Sequence, residues 1–203
     1  MCKKYELTNK IKKIKHALTR NIINLYRIRA LRDFDDIKAG ALGGFIEKEV
    51  NLSHDGNCWV YDNAWVYGYA HVSGSTRIYT EAHVYDNAHI SYNAWVYNYA
   101  RVYGHAQVSG SVCVYSHAKI YNHAIVKGHA KIYGKVYGNV IVSGYAEVYG
   151  SVYGNAKVSY HAKVWGKAYG NAKLNSQSKV SVVPKKCEVY ENDNVINITD
   201  KTE

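Results

Sequence analysis

The stretch VYGNAKVSYHAKVWGKAYGNAKLNS, residues 152–176, repeats one short pattern of residue types. An aliphatic residue is followed by Tyr, Trp or Ser, then by residues typical of turns, then by a small residue and a polar one. The aliphatic positions can be traced back to Val60, and from Val60 to Ile132 they are six residues apart. A short fixed period of this kind indicates a solenoid built from one repeating unit.

The hexads predict short strands separated by corners. The aliphatic residue and the small residue two positions before it fall on the same face of a strand, so both point into a core. The residues on either side of the aliphatic one point outward. Gly, Asn and Asp are frequent between the strands, and they tolerate the left-handed backbone values that a tight corner needs.

A second period predicts how many strands make one turn. From position 61 onward the residue after the aliphatic one reads Tyr, Tyr, Ser, and this cycle repeats every 18 residues. One turn therefore has three sides, and successive turns stack as parallel strands about 4.8 Å apart. After Ile132 the spacing becomes four, six and six, so each later turn is two residues shorter at the same corner.

This pattern resembles that of the hexapeptide-repeat proteins, which form left-handed β-helices. The resemblance covers about residues 57–182 and implies an all-β fold, a left-handed parallel β-helix of about seven triangular turns. The handedness comes from the resemblance, because the general crossover rule favours right-handed connections. Tyr or Ser stands here where the family often has Gly, Asp or Glu. The segments LYRIRALRDF and GALGGFIEKEVNLS and the VYGNA repeats more narrowly resemble phage and prophage proteins that are usually uncharacterised or named as transferases.

Three parts are predicted along the chain. Residues 1–50 form an N-terminal cap, with short strands in KKYELT and NLYRIRAL and a basic loop or helix in KIKKIKHALTR. Residues 51–182 form the β-helix. Residues 183–203 form a C-terminal tail or capping strand, in which VINIT pairs with the last turn. Caps are expected because an open solenoid end exposes a strand edge that would polymerise.

Composition limits the compartment and the class of partner. The formal net charge of +10 favours an anionic partner, although a lysine-rich composition alone would also produce it. The four cysteines lack metal-binding spacing and predict reduced thiols, so no metal and no cofactor are expected. Neither a signal peptide nor a run of about 18 apolar residues is found, which predicts a location in the bacterial cytosol and no membrane contact.

No catalytic residue is predicted. The resemblance implies acyl transfer in a trimer that binds acyl-CoA between neighbouring prisms, beside a general-base histidine and often a loop that interrupts the coils. No insertion interrupts residues 57–182 here, and the nucleophile and phosphate-loop motifs are absent. Eight of the ten histidines fall at corners or outward positions of the hexads, and the pair His71 and His89 lacks an obvious third metal ligand. They are interpreted as exposed structural residues, with a general base or a metal site as the alternatives.

The outward positions predict two kinds of surface. The predicted anion-binding residues are Lys119, Lys131, Lys157, Lys163, Lys173, Lys179, Arg77 and Arg101. The predicted aromatic surface consists of Tyr67, Tyr85, Tyr103, Tyr121, Tyr97, Tyr115, Tyr133 and Trp165. The rings could stack between turns and stabilise the prism, cover a subunit interface, or stack on nucleobases. The lysines could bind phosphates or simply keep a solenoid face from aggregating.

These observations predict a non-catalytic binding protein of a phage or prophage. It would present a rigid, basic and tyrosine-rich surface to a nucleotide, a nucleic acid or a host protein, and so sequester a nucleotide signal or block a host defence component. The alternatives are an acyltransferase that uses acyl-CoA and a structural scaffold or virion protein. The flat aromatic sides predict a homo-oligomer, a dimer or a trimer.

Overall fold

The structure, a computed structural model, describes residues 3–16, 20–178, 180–191 and 195–197. These residues form short strands and turns, with one 3₁₀ turn at Glu49–Asn51. Three sheets, called here faces A, B and C, wind around a common core, and the strands of the coils pair in parallel. The prediction of an all-β protein built as a parallel β-helix is confirmed.

Strands are numbered in chain order. Face A contains β1 (Tyr5–Lys15), β2 (Ile22–Ala30), β3 (Leu42–Ile46), β5 (Trp65–Val66), β8 (His83–Val84), β11 (Arg101–Val102), β14 (Lys119–Asn122), β17 (Lys135–Gly138), β20 (Ser151–Val152), β23 (Lys167–Tyr169), β26 (Cys187–Tyr190) and β27 (Val195–Asn197). Face B contains β4 (Trp59–Val60), β7 (Arg77–Ile78), β10 (Trp95–Val96), β13 (Cys113–Val114), β16 (Lys131–Ile132), β19 (Glu147–Val148), β22 (Lys163–Val164) and β25 (Val182–Val183). Face C contains β6 (His71–Val72), β9 (His89–Ile90), β12 (Gln107–Gly110), β15 (Ile125–Gly128), β18 (Ile141–Val142), β21 (Lys157–Val158) and β24 (Lys173–Leu174).

The turns stack with the register that the hexads predict. Face B has 8 strands, one for each turn, so the β-helix has about one turn more than the seven predicted. The difference arises because Val182–Val183 still pairs with β22 as a strand of face B. On face A, Lys119 pairs with Arg101, 18 residues earlier, but with Lys135, only 16 residues later. The shortening of the later turns is therefore a physical feature of the solenoid.

The core is a column of small aliphatic side chains. Val96 lies between Ile78 and Val114 on the neighbouring turns, and all three are fully buried. Thr76 stands where most turns have Ala, and it is also buried. Its hydroxyl donates to the carbonyl oxygen of Ser73 at 2.8 Å, so the polar group is satisfied inside the core.

The shortened corner between faces B and A contains one glycine in each of the later turns. A Cβ atom on Gly134 would collide with the carbonyl oxygen of Gly150, and one on Gly150 would collide with that of Gly166. Glycine is required here for the close approach of successive turns rather than for an unusual φ angle. This explains why YG or WG recurs at that corner.

A hairpin covers the N-terminal end of face A. Strands β1 and β2 are antiparallel, β2 pairs antiparallel with β3, and β3 pairs in parallel with β5 of the first turn. The segment Lys10–Lys15, expected to be a loop or a helix, is therefore part of β1. Its side chains alternate, because Lys12 and Ile14 are half-buried while Lys13 and Lys15 are exposed.

Face A also continues beyond the last full turn. Strand β26 pairs in parallel with β23, and β27 pairs antiparallel with β26. Val195–Asn197 of the VINIT segment therefore pair with β26 and not directly with the last full turn, and the rest of that segment lies outside the described residues. The antiparallel strands β2 and β27 interrupt the parallel stacking at the two ends of face A.

Candidate functional site

The predicted cations are spread over three sides of the prism. Face A carries Arg101 and Lys119, face B carries Arg77, Lys131 and Lys163, and face C carries Lys157 and Lys173. Lys179 lies outside the described residues. The sequence therefore identified outward-facing cations correctly, but the fold does not gather them into one patch.

The cations of face B lie close to carboxylates. A guanidinium nitrogen of Arg77 lies 2.5 Å from Asp35 and 3.4 Å from Asp36, both in the loop that follows β2. The ammonium group of Lys163 lies 3.4 Å from Glu147. Lys131 is the strand partner of Glu147 on the other side. Burial opposes ionisation of the Glu147 carboxyl group, but the hydrogen bond with Tyr149 and the charges of Lys163 and Lys131 together lower its pKa. This compensation leaves face B with little net attraction for an anion.

Face A carries an uncompensated basic column. Arg101, Lys119 and Lys135 occupy equivalent positions on the consecutive strands β11, β14 and β17. No ion pair to any of the three is formed by the part of the chain that the structure describes. Like charges on neighbouring strands repel by roughly 1 kcal/mol even in water at close range, and a bound anion would relieve that repulsion.

Lys135 is the member of this column that the sequence-based selection missed. Its position directly before Val136 repeats the position of Lys119 before Ile120, which is the signal that could have found it. The column ends at the next strands. Ser151 is neutral, and Lys167 is paired with Glu188 at 2.6 Å.

A row of tyrosines runs beside the basic column. The rings of Tyr103, Tyr121, Tyr137 and Tyr153 are stacked with centroid distances of 4.9, 4.8 and 5.1 Å and interplanar angles of 3°, 5° and 5°. These rings cover each other's faces, so no nucleobase can insert between them. Burial raises the pKa of Tyr103 and Tyr121, so their hydroxyl groups are hydrogen-bond donors at neutral pH, as those of unperturbed tyrosines already are.

The hairpin removes part of the predicted aromatic surface. Tyr67 is buried in a cluster with Leu25 and Phe45, and Tyr85 packs against that cluster. Burial raises the pKa of Tyr67 to about 12. The sequence predicts that Tyr67 and Tyr85 belong to an exposed aromatic surface. In the structure the hairpin covers both, and the local sequence pattern does not show that the hairpin lies over face A. The open part of the row begins near Tyr103.

His83 shows that the hairpin end of face A is electropositive. Its ring stacks on Trp65 with a centroid distance of 4.0 Å, and the ammonium group of Lys12 lies 4.5 Å from the Trp65 ring. Burial, together with smaller contributions from the charges of Arg101 and Lys12, lowers the pKa of His83 to about 4. The ring is therefore neutral at physiological pH, and the nearby positive charge is carried by Arg101 and Lys12.

The other predicted aromatic residues share one column on face B. The stack Tyr115, Tyr133, Tyr149 and Trp165 has centroid distances of 4.5, 4.7 and 3.7 Å and near-parallel planes. Tyr97 meets Tyr115 edge-on, at an interplanar angle of 75°. The column is thus regular at its C-terminal end and irregular at Tyr97.

The histidines serve mainly as ring partners. His105 stacks on His123 at 5.1 Å, and the His71 ring nitrogen bonds to the carbonyl oxygen of Val50 at 2.8 Å. The rings of His71 and His89 lie 6.2 Å apart and are tilted. No group of three or more potential metal ligands is found among the described residues. No helix in that part of the chain is both long and apolar enough to span a membrane.

Comparison with known proteins gives one local similarity. No protein-family model matches the sequence. A stretch of 61 residues is 48% identical to the uncharacterized acetyltransferase YdcK of Escherichia coli (strain K12). That stretch is 30% of this chain and 19% of the relative, so the match spans about a fifth of the relative's length. Together with the parallel β-helix, the match supports the resemblance to the hexapeptide-repeat proteins.

Proposed function

We propose that this chain is a non-catalytic binding protein whose open part of face A holds an anionic partner. The observation that carries the proposal is the column Arg101, Lys119 and Lys135, which is continuous across three strands and lacks carboxylate partners among the described residues. The tyrosine row beside it offers phenol hydroxyl groups as additional donors. Guanidinium, ammonium and phenol donors together suit phosphate oxygens.

The shape of the column favours an extended polyanion. Its three cations repeat at the strand spacing of about 4.8 Å, so a chain of phosphates lying along the column can contact all of them. The tyrosine faces are closed by stacking, so the bases of a bound strand contribute little. Nucleic acid is therefore expected to bind through its backbone, with weak sequence preference and strong salt dependence.

The test compares the removal of the three positive charges of the column with the removal of three positive charges elsewhere on the surface. In the test variant Arg101, Lys119 and Lys135 are changed to Gln. In the control variant Lys127, Lys185 and Lys186, which are exposed and are not among the predicted anion-binding residues, are changed to Gln. Fluorescence anisotropy with a labelled single-stranded oligodeoxynucleotide should show a loss of affinity of at least about ten-fold for the first variant and a much smaller loss for the second.

Salt dependence provides a second readout for the same variants. Removing three phosphate contacts should make the slope of log affinity against log salt shallower by about 2 for a single strand. Equal losses in both variants would mean that only net charge matters, and unchanged binding in the face A variant would refute the proposal.

The proposal also concerns the biological role of the protein. The basic surface and the sequence resemblance support a phage or prophage protein that sequesters a nucleotide signal, a nucleic acid or a host defence component, as a dimer or trimer. Native mass spectrometry of gently purified protein measures subunit number and retained ligand together. A stoichiometric extra mass that matches a nucleotide or an oligonucleotide would support sequestration, whereas an oligomer that retains and takes up neither would direct the search to a host protein.

Acyl transfer is the second candidate function. The observation in its favour is the 61-residue match to a protein named as an acetyltransferase. Calorimetry with millimolar acetyl-CoA tests this candidate, because binding followed by acetyl transfer to an added amine would support it. Absence of acetyl-CoA binding would remove it.

A further inference from the structure

The aromatic column of face B is interrupted between its second and third rings. Tyr61 and Tyr79 are stacked at 4.2 Å and 19°, and Tyr115 and Tyr133 are stacked at 4.5 Å and 4°. Tyr97, which lies between these pairs in the column, is turned edge-on to Tyr115. The ring of Tyr97 is therefore present in the column but does not continue the parallel stack.

The indole of Trp95 explains the interruption. It occupies the outward position at which neighbouring turns have Arg77 and Cys113, and it lies edge-on to Tyr79 with a centroid distance of 6.2 Å and an angle of 62°. An open cavity of about 340 Å³ results, lined by Tyr79, Thr80, Trp95 and Tyr97. Cavities that hold small molecules start at about this volume. Trp95 is 44% exposed, so part of its aromatic surface is accessible from this space.

The backbone at the rim of the cavity is unusual. Thr80 has a φ of 61°, in the left-handed region that a β-branched residue rarely adopts. At the same corner the preceding and following turns have Asp62 and Asn98, which tolerate this conformation better. Such strain persists only where the surrounding structure holds it, and it is concentrated at functional sites. The left-handed Thr80 lies at the point where the aromatic column is interrupted.

The charges around the cavity favour a neutral occupant. The guanidinium group of Arg77 lies 5.7 Å from the centre of the Trp95 ring and donates to the hydroxyl of Tyr79 at 3.1 Å. Its charge repels a cationic ligand. The same group is paired with Asp35 and Asp36, so it adds little attraction for an anion.

We propose that this cavity is a binding site for the purine base of a nucleoside, which lies against Trp95 and Tyr79 beside the turned ring of Tyr97. Stacking and exclusion of water from the aromatic surface provide the affinity, and the phosphate groups of a nucleotide add little to it. The site lies on face B, so it is separate from the basic column of face A and does not depend on the function proposed for that column.

Adenosine is the probe, because it carries the base without a charged group. Binding is measured by saturation-transfer NMR and by titration of tryptophan fluorescence in the wild-type protein and in two variants. Trp95→Leu removes the stacking surface, whereas Trp165→Leu removes a comparably exposed tryptophan that already stacks on Tyr149. We expect a loss of affinity of roughly ten-fold or more for the first variant and almost none for the second. Raising the salt from about 50 to about 200 mM should leave adenosine binding unchanged, in contrast to polyanion binding at face A.

Three results would overturn the inference. They are no adenosine binding by the wild-type protein, equal effects of the two tryptophan variants, and protection of Trp95 from acrylamide quenching by a second copy of the chain. If Trp95→Leu does not fold by circular dichroism, Tyr97→Leu replaces it. The face A variant that lacks its three cations should still bind adenosine, so failure of the anion proposal and failure of this one are distinguishable.

Discussion

At the scale of single residues, the repeat predicts whether a side chain points into the core or outward, but not which residues it contacts. Alternation along each hexad places Ala88 and Ile90 in the core and His89 on the surface, as observed. It could not predict that Arg77 would be neutralised, because Asp35 and Asp36 lie in a loop about 40 residues earlier, outside the repeat. The value of a surface cation as an anion ligand therefore depends on contacts made by the segments that do not repeat.

His83 leads to a prediction about pH. Its folded-state pKa of about 4 is below the value of about 6.5 expected in the unfolded chain. Between these values the unfolded state binds the proton and the folded state does not, so stability falls as the pH drops from about 6.5 to about 4. His83→Phe should keep the stacking on Trp65 and remove this loss, which is about 1 kcal/mol at pH 5 after allowance for solvent around the partly exposed ring.

Urea denaturation of both proteins at pH 7 and at pH 5 provides the measurement. His54, whose pKa is also lowered by burial, is present in both proteins, so its contribution cancels. If the two proteins lose the same stability between these pH values, His83 is not the group responsible.

At the scale of elements, the coils were predictable, and so were strands within β1 and β2, but the pairing of these two strands into a hairpin over face A was not. Each coil strand repeats the hexad, but β1 and β2 carry no repeat, and their alternation is partly hidden by lysines such as Lys12 and Lys13. The ammonium group of Lys12 lies over the Trp65 ring, so a residue that reads as polar is half-buried in the fold. For the same reason the sequence overestimated how much of the tyrosine row on face A is open.

The hairpin is expected to be held to the coils by one buried cluster. Leu25 is fully buried against Phe45 and Tyr67, and Leu25→Ala should cost about 2 to 4 kcal/mol. The loss should be local, because the coils do not need the hairpin to stack on each other. Hydrogen exchange should accelerate in β1 and β2 while the amides of the later coils remain protected.

Leu42→Ala is the matched control for this variant. Leu42 is 56% exposed at the start of β3, so its truncation should change stability by no more than about 0.5 kcal/mol. Uniformly faster exchange in the hairpin and the coils after the Leu25 change would show that the two parts unfold as a single unit.

At the scale of the whole molecule, the fold is a one-dimensional stack in which each turn contacts only its neighbours. The sequence predicts this architecture because the three-hexad cycle and its two-residue shortening both correspond to turns of the β-helix. The candidate sites were less predictable, since they arise where the repeat fails. The basic column ends at Ser151, and the aromatic cavity exists because Trp95 and Thr80 replace smaller or more tolerant residues.

Removal of one complete turn tests this architecture directly. Lys135 and Ser151 occupy equivalent positions on neighbouring strands, so deletion of residues 135–150 joins Gly134 to Ser151 in the correct register. The shorter protein should fold cooperatively, with a lower melting temperature because one interface between turns is lost. Deletion of residues 143–150 alone removes half a turn. Every later strand would then fall on a different face from the strand with which it pairs, so this protein should not fold. Circular dichroism and gel filtration of the two proteins provide the comparison. If both deletions were tolerated equally, the three-sided turn would not be the unit of stability.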